Sequence, residues 1–157
     1  IFVCSVADLF APWTRPEWRA RVLETISQQK YSHLTFQLLT KNPENIPTKI
    51  RRWERKNIWA GTTINFEGEM TKAYDLIRNW TNIKFLSFEP LLGPINIPVD
   101  VLKQIQWIIV GKLTGSQKVK LENWWVENII SQARRANVPL FLKNNLKWSE
   151  KIQEFPK

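Results

Sequence analysis

The chain is poor in cysteine, in glycine-rich motifs and in long apolar runs, and each shortage excludes a class of protein. Its only cysteine is Cys4, so no internal disulfide and no metal site built from several cysteines can form within these 157 residues. A single thiol is typical of a reducing compartment, and we expect a cytoplasmic protein. No apolar run reaches the roughly 18 residues of a membrane-spanning helix, so no membrane partner is expected. No GxGxxG or GxxxxGK[ST] loop follows any predicted strand, which argues against a nucleotide-binding doubly wound sheet.

Acidic residues are also scarce beside basic ones. The chain has 23 lysines and arginines against 14 aspartates and glutamates, a formal net charge of +9. This balance favours polyanionic partners such as nucleic acid, although a solvated basic surface would carry the same charge. The densest basic stretch lies on the outer face of a helix predicted from about Pro47 and is the candidate nucleic-acid contact, formed by Lys49, Arg51, Arg52, Arg55 and Lys56.

What the chain does contain is a repeated unit of an apolar strand that ends in polar residues. The clearest example runs from Ile83 to Glu89 and is then stopped by Pro90. A nearly continuous apolar run of this length is typical of a parallel strand buried on both faces. Six such strands are predicted, over residues 1–5, 34–41, 58–64, 83–89, 107–111 and 138–142.

Amphipathic helices are predicted between these strands. The first opens on a capping box from Thr14 to Glu17 and buries Trp18, Val22 and Ile26. The helix after Pro47 buries one further stripe, and a short helix is expected from Pro98 to Ile105. Helical spacing also predicts stripes on two longer helices, and most of the nine tryptophans are expected in the core. The helix after Pro47 has Ile46, Ile50 and Trp53 on one face. The helix after the third strand has Met70, Ala73, Ile77 and Trp80 on one face. The last helix, over residues 121–136, has Leu121, Trp125, Ile129 and Ala133 on one face.

Strand and helix alternating six times predict an α/β fold with a parallel sheet and right-handed crossovers. The pattern leaves a doubly wound sheet and a partial (β/α) barrel both open, and 157 residues are few for a complete eight-stranded barrel. We expect six parallel strands in chain order, with an unclosed gap beside the first. Residues 1–146 form the predicted domain, and residues 147–157 form a charged tail.

Parallel strands bring their carboxyl ends together at one end of the sheet, called the mouth here. Lys41, Glu89 and Lys143 are the catalytic candidates, because a half-buried carboxylate beside lysines can act as a tuned acid or base. The alternative is an ion pair that only neutralises buried charge, and asparagines at the mouth could likewise only cap turns. The other polar residues expected there are Ser5, Asp8, Thr40, Thr63, Asn65, Ser87, Lys112, Thr114 and Asn144.

Five stretches carry a family resemblance. The runs 2–10, 35–43, 85–94, 107–111 and 138–143 resemble the successive strand motifs of one family, in order over residues 1–146. The most specific is Phe85-Leu86-Ser87-Phe88-Glu89-Pro90-Leu91-Leu92-Gly93-Pro94. The family is phage- and prokaryote-associated, of unknown function, and lies within the radical S-adenosylmethionine (radical SAM) superfamily.

The resemblance implies a partial barrel with S-adenosylmethionine and a four-iron cluster at the mouth. It also implies an upstream strand and a three-cysteine loop that this sequence does not contain, so we expect the chain to be the C-terminal portion of such an enzyme, without a cofactor and inactive on its own. The loop from Gly111 to Gly115 and the run Asn144-Asn145-Leu146 depart from the family pattern. The implied cofactor-binding residues are Ser5, Asp8, Thr63, Asn65, Ser87, Gly111, Thr114 and Asn144. The competing hypothesis is a basic, phage-related nucleic-acid-binding domain without catalysis.

Overall fold

The computed structural model describes residues 1–50, 53–115 and 120–156. Six strands form one sheet in the order β1 to β6, and every neighbouring pair is parallel. The prediction of six parallel strands in chain order is therefore confirmed, and the sheet is open. The strands are shorter than predicted: β1 Phe2–Val3, β2 Phe36–Thr40, β3 Ile58–Thr63, β4 Lys84–Phe88, β5 Trp107–Val110 and β6 Leu140–Leu142.

Helices connect these strands. They are α1 Pro16–Ile26, α2 Thr71–Asn79, α3 Val99–Leu102 and α4 Asn123–Arg135, with short 3-10 turns elsewhere. In place of the helix predicted after Pro47, the described residues contain only a 3-10 turn, Thr48–Ile50. Arg51 and Arg52, predicted on that helix, lie outside the described residues. No helix within the described ranges is both long and apolar enough to cross a membrane.

The start of α1 differs from the prediction. Arg15, rather than Thr14, is the N-cap residue, and it makes no side-chain capping bond. The hydroxyl of Thr14 instead donates to the backbone oxygen of Asp8 at 2.8 Å, so it closes the loop that follows β1. Trp18 is 58% exposed, and the buried face of α1 is formed by Leu23 and Ile26.

The two faces of the sheet are covered differently. One face packs against the four helices and forms the main core, in which Leu38, Leu86 and Ile108 meet helical residues such as Leu76 and Ile129. The other face, called the open face here, carries a second cluster of Phe85, Trp107 and Ile109, joined by Leu39, Trp59 and Phe141. Trp80 and Trp107 are buried as expected, whereas Trp13, Trp18 and Trp124 are exposed.

The C-terminal tail closes one end of the open face. The N–H of Leu142 donates to the Ile152 oxygen at 2.8 Å, and Gln153 forms an antiparallel bridge with Phe141. The ring of Phe155 then lies 5.3 Å from that of Trp107. Aromatic rings thus fill the amino-terminal half of the open face and leave its carboxyl-terminal half to polar side chains.

Candidate functional site

An ion pair lies at the mouth. Glu89 follows β4 and Lys143 follows β6, and Lys143 Nζ contacts Glu89 Oε1 across β5. The expected ion pair of Glu89 with Lys41 or Lys143 is therefore made with Lys143. Both side chains are partly accessible, at 26% for the carboxylate and 44% for the lysine, so a ligand can reach them.

A glycine directly after β5 makes room for this pair. A Cβ atom on Gly111 would lie 2.9 Å from Glu89 Cγ and 3.0 Å from Glu89 Oε1, closer than real Cβ contacts. Only glycine lets the Glu89 side chain lie against the backbone of the neighbouring strand. Gly111 therefore belongs to the site through its missing side chain.

Ser87 adds an unsatisfied hydroxyl to the same face. It lies two residues before Glu89, so strand alternation places it on the open face, in register with Thr63 and Ile109. Ser87 is 0% exposed, and its Oγ has no hydrogen-bond partner among the described residues. Buried polar groups are nearly always hydrogen-bonded, so this hydroxyl is suited to a bound molecule.

A cleft of about 560 Å³ lies where β1, β2 and β3 end. Five of the residues predicted at the mouth line it: Ser5, Asp8, Thr40, Lys41 and Thr63. Trp13, with 81% of its surface exposed, also lines it. Because Thr63 is in register with Ser87, this cleft and the Glu89–Lys143 pair lie on adjoining parts of the mouth.

The Asp8 carboxylate is already used within the protein. Oδ1 accepts from the Phe10 N–H at 2.9 Å and from Thr40 Oγ1 at 2.7 Å. Oδ2 accepts from the Lys41 N–H at 2.8 Å and from Asn42 Nδ2 at 2.9 Å. Four donors occupy the lone pairs of an ionised carboxylate, so Asp8 joins the loop after β1 to β2 and has little capacity left for a cofactor.

Of three other predicted cofactor ligands, two are hydrogen-bonded within the protein and one is exposed. The side-chain amide of Asn65 donates to the Pro90 oxygen at 2.8 Å and shapes the turn after β4. Asn144 Oδ1 accepts from the Gln153 amide at 2.9 Å and so fastens the C-terminal tail. Thr114 is exposed in the loop after β5.

Lys41 is exposed, and its charge acts on a different carboxylate. Burial tends to raise the pKa of Glu69, but hydrogen bonds from Lys72 and the Asn65 N–H, with the charges of Lys72 and Lys41, lower that pKa overall. Glu69 Oε2 accepts from the Asn65 N–H at 2.7 Å. The carboxylate of Glu69 thus stabilises the turn after β3 rather than taking part in the Glu89–Lys143 pair.

The single thiol does not fit an iron–sulfur cluster. Burial and the negative charge of Asp8 raise the pKa of Cys4, which keeps it protonated, whereas metal ligation requires the thiolate. Within the described parts of the chain, no group of three or more His, Cys, Asp or Glu residues is arranged to hold a metal ion.

The basic stretch lies at the opposite end of the sheet from the mouth, where the strands begin. Arg55 and Lys56 come just before β3, at its amino end, and line a polar cleft of about 620 Å³. Lys49 is exposed in the 3-10 turn that precedes them, and Arg51 and Arg52 are not among the described residues. The candidate nucleic-acid contact is therefore separate from the mouth.

Sequence reasoning missed two contributions to the site. Trp13 follows no apolar strand and shows no helical spacing, so only the structure identifies it as part of the cleft. The steric role of Gly111 depends on the path of Glu89 from another strand, which no local signal in the sequence reports.

Comparison with known proteins gives one family. The family described as "Protein of unknown function (DUF5131)" matches residues 1–156. No curated protein and no solved structure matches the chain. The family description states no activity, so the link to the radical SAM superfamily stays a prediction.

Proposed function

The chain belongs to the DUF5131 family of unknown function, and from its own residues we propose that it is the part of a radical-SAM-like enzyme that lines the cofactor and substrate cavity. Its substrate is unknown, and the cluster would be held by a cysteine loop outside this sequence. The observation that carries the proposal is the accessible Glu89–Lys143 pair beside the unpartnered hydroxyl of Ser87. The open parallel sheet with this polar mouth agrees with a partial barrel.

The mouth offers groups complementary to S-adenosylmethionine. Lys143 suits a carboxylate, and Glu89 suits an ammonium group. When bound together with a cluster, this cofactor supplies a carbon radical by reductive cleavage. In this proposal the chain binds and orients the cofactor, and Gly111 leaves the room that the Glu89 side chain occupies.

Calorimetric titration of a longer form of the protein, carrying the expected cysteine loop, with S-adenosylmethionine tests the proposal. Lys143→Gln should weaken binding by about tenfold, since one charge-assisted hydrogen bond from a partly exposed lysine, worth about 1.5 kcal/mol, is lost. Lys112→Gln is the matched control, because Lys112 is exposed at the same end of the sheet and forms no ion pair with a carboxylate of the described residues. Undetectable binding, or equal effects of the two variants, would contradict the assignment.

Iron uptake gives a separate readout. Anaerobic reconstitution with iron and sulfide should leave the chain colourless, because a four-iron cluster needs three protein thiolates and the chain has one thiol. A longer form carrying the expected cysteine loop should turn brown and cleave S-adenosylmethionine. A longer form that takes up no iron would favour a barrel without radical chemistry.

A second candidate function is nucleic-acid binding at the end of the sheet opposite the mouth. Arg55 and Lys56 line a polar cleft there and carry the positive charges that bind phosphate, whereas the side-chain amides of Asn57 and Asn82 already donate to backbone oxygens. On single-stranded DNA the logarithm of affinity should fall with the logarithm of salt concentration, by about 0.7 per phosphate contact.

The slope of log affinity against log salt concentration identifies which end of the sheet binds the nucleic acid. Replacing Arg55 and Lys56 by glutamine should reduce the slope, whereas Lys112→Gln at the mouth should leave it unchanged. Binding that does not respond to salt would leave the stretch as an ordinary solvated surface.

A further inference from the structure

The helix layer has a gap between β4 and β5. The connecting helix α3 contains 4 residues, whereas α2 contains 9 and α4 contains 13. At 1.5 Å per residue α3 is about 6 Å long and α4 about 20 Å, so α3 covers only part of the space beside α4. A cleft of about 580 Å³ remains there, within the size range of small-molecule pockets.

The floor of this cleft is apolar. Ile97, Leu102 and Ala136 line it, together with Val99, which is 68% exposed. Gln132 also reaches the cleft, but its Oε1 accepts from the Ile97 N–H at 2.7 Å and its Nε2 donates to the Ile95 oxygen at 2.9 Å. Its amide is thus satisfied within the protein and shapes the floor.

A second cleft of about 420 Å³ continues the first. The two clefts share Leu102, Lys103 and Ala136, and the second is lined further by Ile105 and Val138. Together they form an elongated groove, called the α3–α4 groove here. An extended apolar chain fits such a shape better than a compact ring.

Two cations stand at the groove with no counter-charge. Neither Lys103 nor Arg135 forms an ion pair with a carboxylate of the described residues. Glu154 pairs with Arg134 at 2.6 Å, and Asp100, on α3, forms no ion pair with either cation. The groove therefore combines an apolar floor with an unneutralised positive rim.

We propose that the α3–α4 groove binds an apolar chain that carries one carboxylate, such as a medium-chain acyl acid. The carboxylate lies between Arg135 and Lys103, where a guanidinium can form two parallel hydrogen bonds to it. The chain lies over Val99 and Leu102. This site is on the helix side of the sheet and is independent of the function proposed for the mouth.

Calorimetric titration with decanoate, below its micelle-forming concentration, tests the site. Saturable binding is expected, at least about tenfold tighter than for decyltrimethylammonium, because the cation would meet Arg135 and Lys103. Butyrate should bind at least about tenfold more weakly than decanoate, since six methylenes are lost from the apolar contact.

Variants locate the binding. Arg135→Gln should weaken decanoate binding by about fivefold or more, since one charge-assisted contact is lost, and Val99→Asp should abolish it. Arg134→Gln is the control for loss of a charge from the same helix: it breaks the ion pair with Glu154, but Arg134 does not line this groove. All three side chains are exposed, and circular dichroism will verify folding.

Three outcomes would overturn the proposal: no saturable heat with decanoate, equal affinity for the cationic amphiphile, or equal effects of Arg135→Gln and Arg134→Gln. Binding of an acidic, apolar peptide by a protein that does not bind decanoate would also overturn it. None of these outcomes bears on S-adenosylmethionine binding at the mouth.

Discussion

Glycines on the strands that flank β4 accommodate its large side chains. A Cβ on Gly61 of β3 would lie 2.3 Å from the ring of Phe85, and one on Gly111 after β5 would meet Glu89. In both places a β4 side chain lies over the backbone of the next strand. The core ring and the candidate catalytic carboxylate thus depend on the same steric arrangement.

Gly111→Ala should destabilise the fold and weaken ligand binding at the mouth. The added methyl group overlaps the Glu89 side chain, and overpacking of this kind costs about 1–3 kcal/mol. Urea unfolding measures the loss. Gly93→Ala is the control, since its Cβ would meet nothing within 4 Å and the change should be neutral or stabilising by about 0.4–1 kcal/mol. Equal effects at the two glycines would show that the contact with Glu89 is unimportant.

Among the elements, β1 is held in place by one carboxylate. The strand has only 2 residues, and three of the four hydrogen bonds of Asp8 join the loop after it to residues 40–42 at the end of β2. At the opposite edge the C-terminal tail pairs with β6 and so covers its unpaired backbone groups. Each edge of the sheet thus depends on a non-strand segment.

Asp8→Asn should cost about 2–3 kcal/mol, because charge-assisted bonds are lost and the new amide points a donor at existing donors. Urea unfolding and limited proteolysis of the loop over residues 4–15 will measure it. Asp100→Asn serves as the control, since Asp100 is exposed and receives one contact at 3.4 Å from Tyr74; its effect should stay within about 0.5 kcal/mol. An Asp8 variant as stable as the control would remove Asp8 from this role.

At the scale of the whole molecule, a few shifted pKa values shape the pH profile of stability. Burial tends to raise the pKa of Glu154, but bonds from the Leu140 N–H and Arg134 outweigh it, and this pKa is lowered. The pKa of Glu69 is lowered as well. Burial lowers the pKa of Lys84, whose ammonium donates to the Asn82 oxygen at 3.0 Å.

Stability should therefore fall in acid. For Glu69 and Glu154 the unfolded chain binds more protons between the lowered pKa and the ordinary value of 4.5, so the free energy of unfolding decreases as pH falls through that range. Urea midpoints measured from neutral pH downward should show this decline, and Glu154→Gln should reduce it. A midpoint that stays constant well below pH 4.5 would contradict the two shifts.

The opposite end of the profile depends on Lys84. Its pKa is lowered from 10.5, so the unfolded chain binds more protons between the lowered value and 10.5, and stability rises with pH there. Lys84→Met should abolish this rise, which urea midpoints above neutral pH can follow.

Strand order, the parallel sheet and the pairing of Glu89 with a lysine at the strand ends could be predicted from the sequence, because apolar runs and their polar ends are local features. The same locality explains the errors. A hydroxyl such as that of Thr14 chooses between capping its own helix and closing a loop, and the choice depends on Asp8 and the packing around it. The stretch after Pro47 has helical spacing, yet its described residues form a 3-10 turn.

Only the tertiary structure decided how the mouth is used. Lys143 reaches Glu89 over a separation of 54 residues, while Lys41 and Asp8 serve other contacts. The unpartnered state of Ser87 and the need for glycine at position 111 also depend on neighbouring strands. Propensity and spacing act between residues close in the chain, whereas hydrogen-bond partners and steric room are set by residues that folding brings together from distant positions.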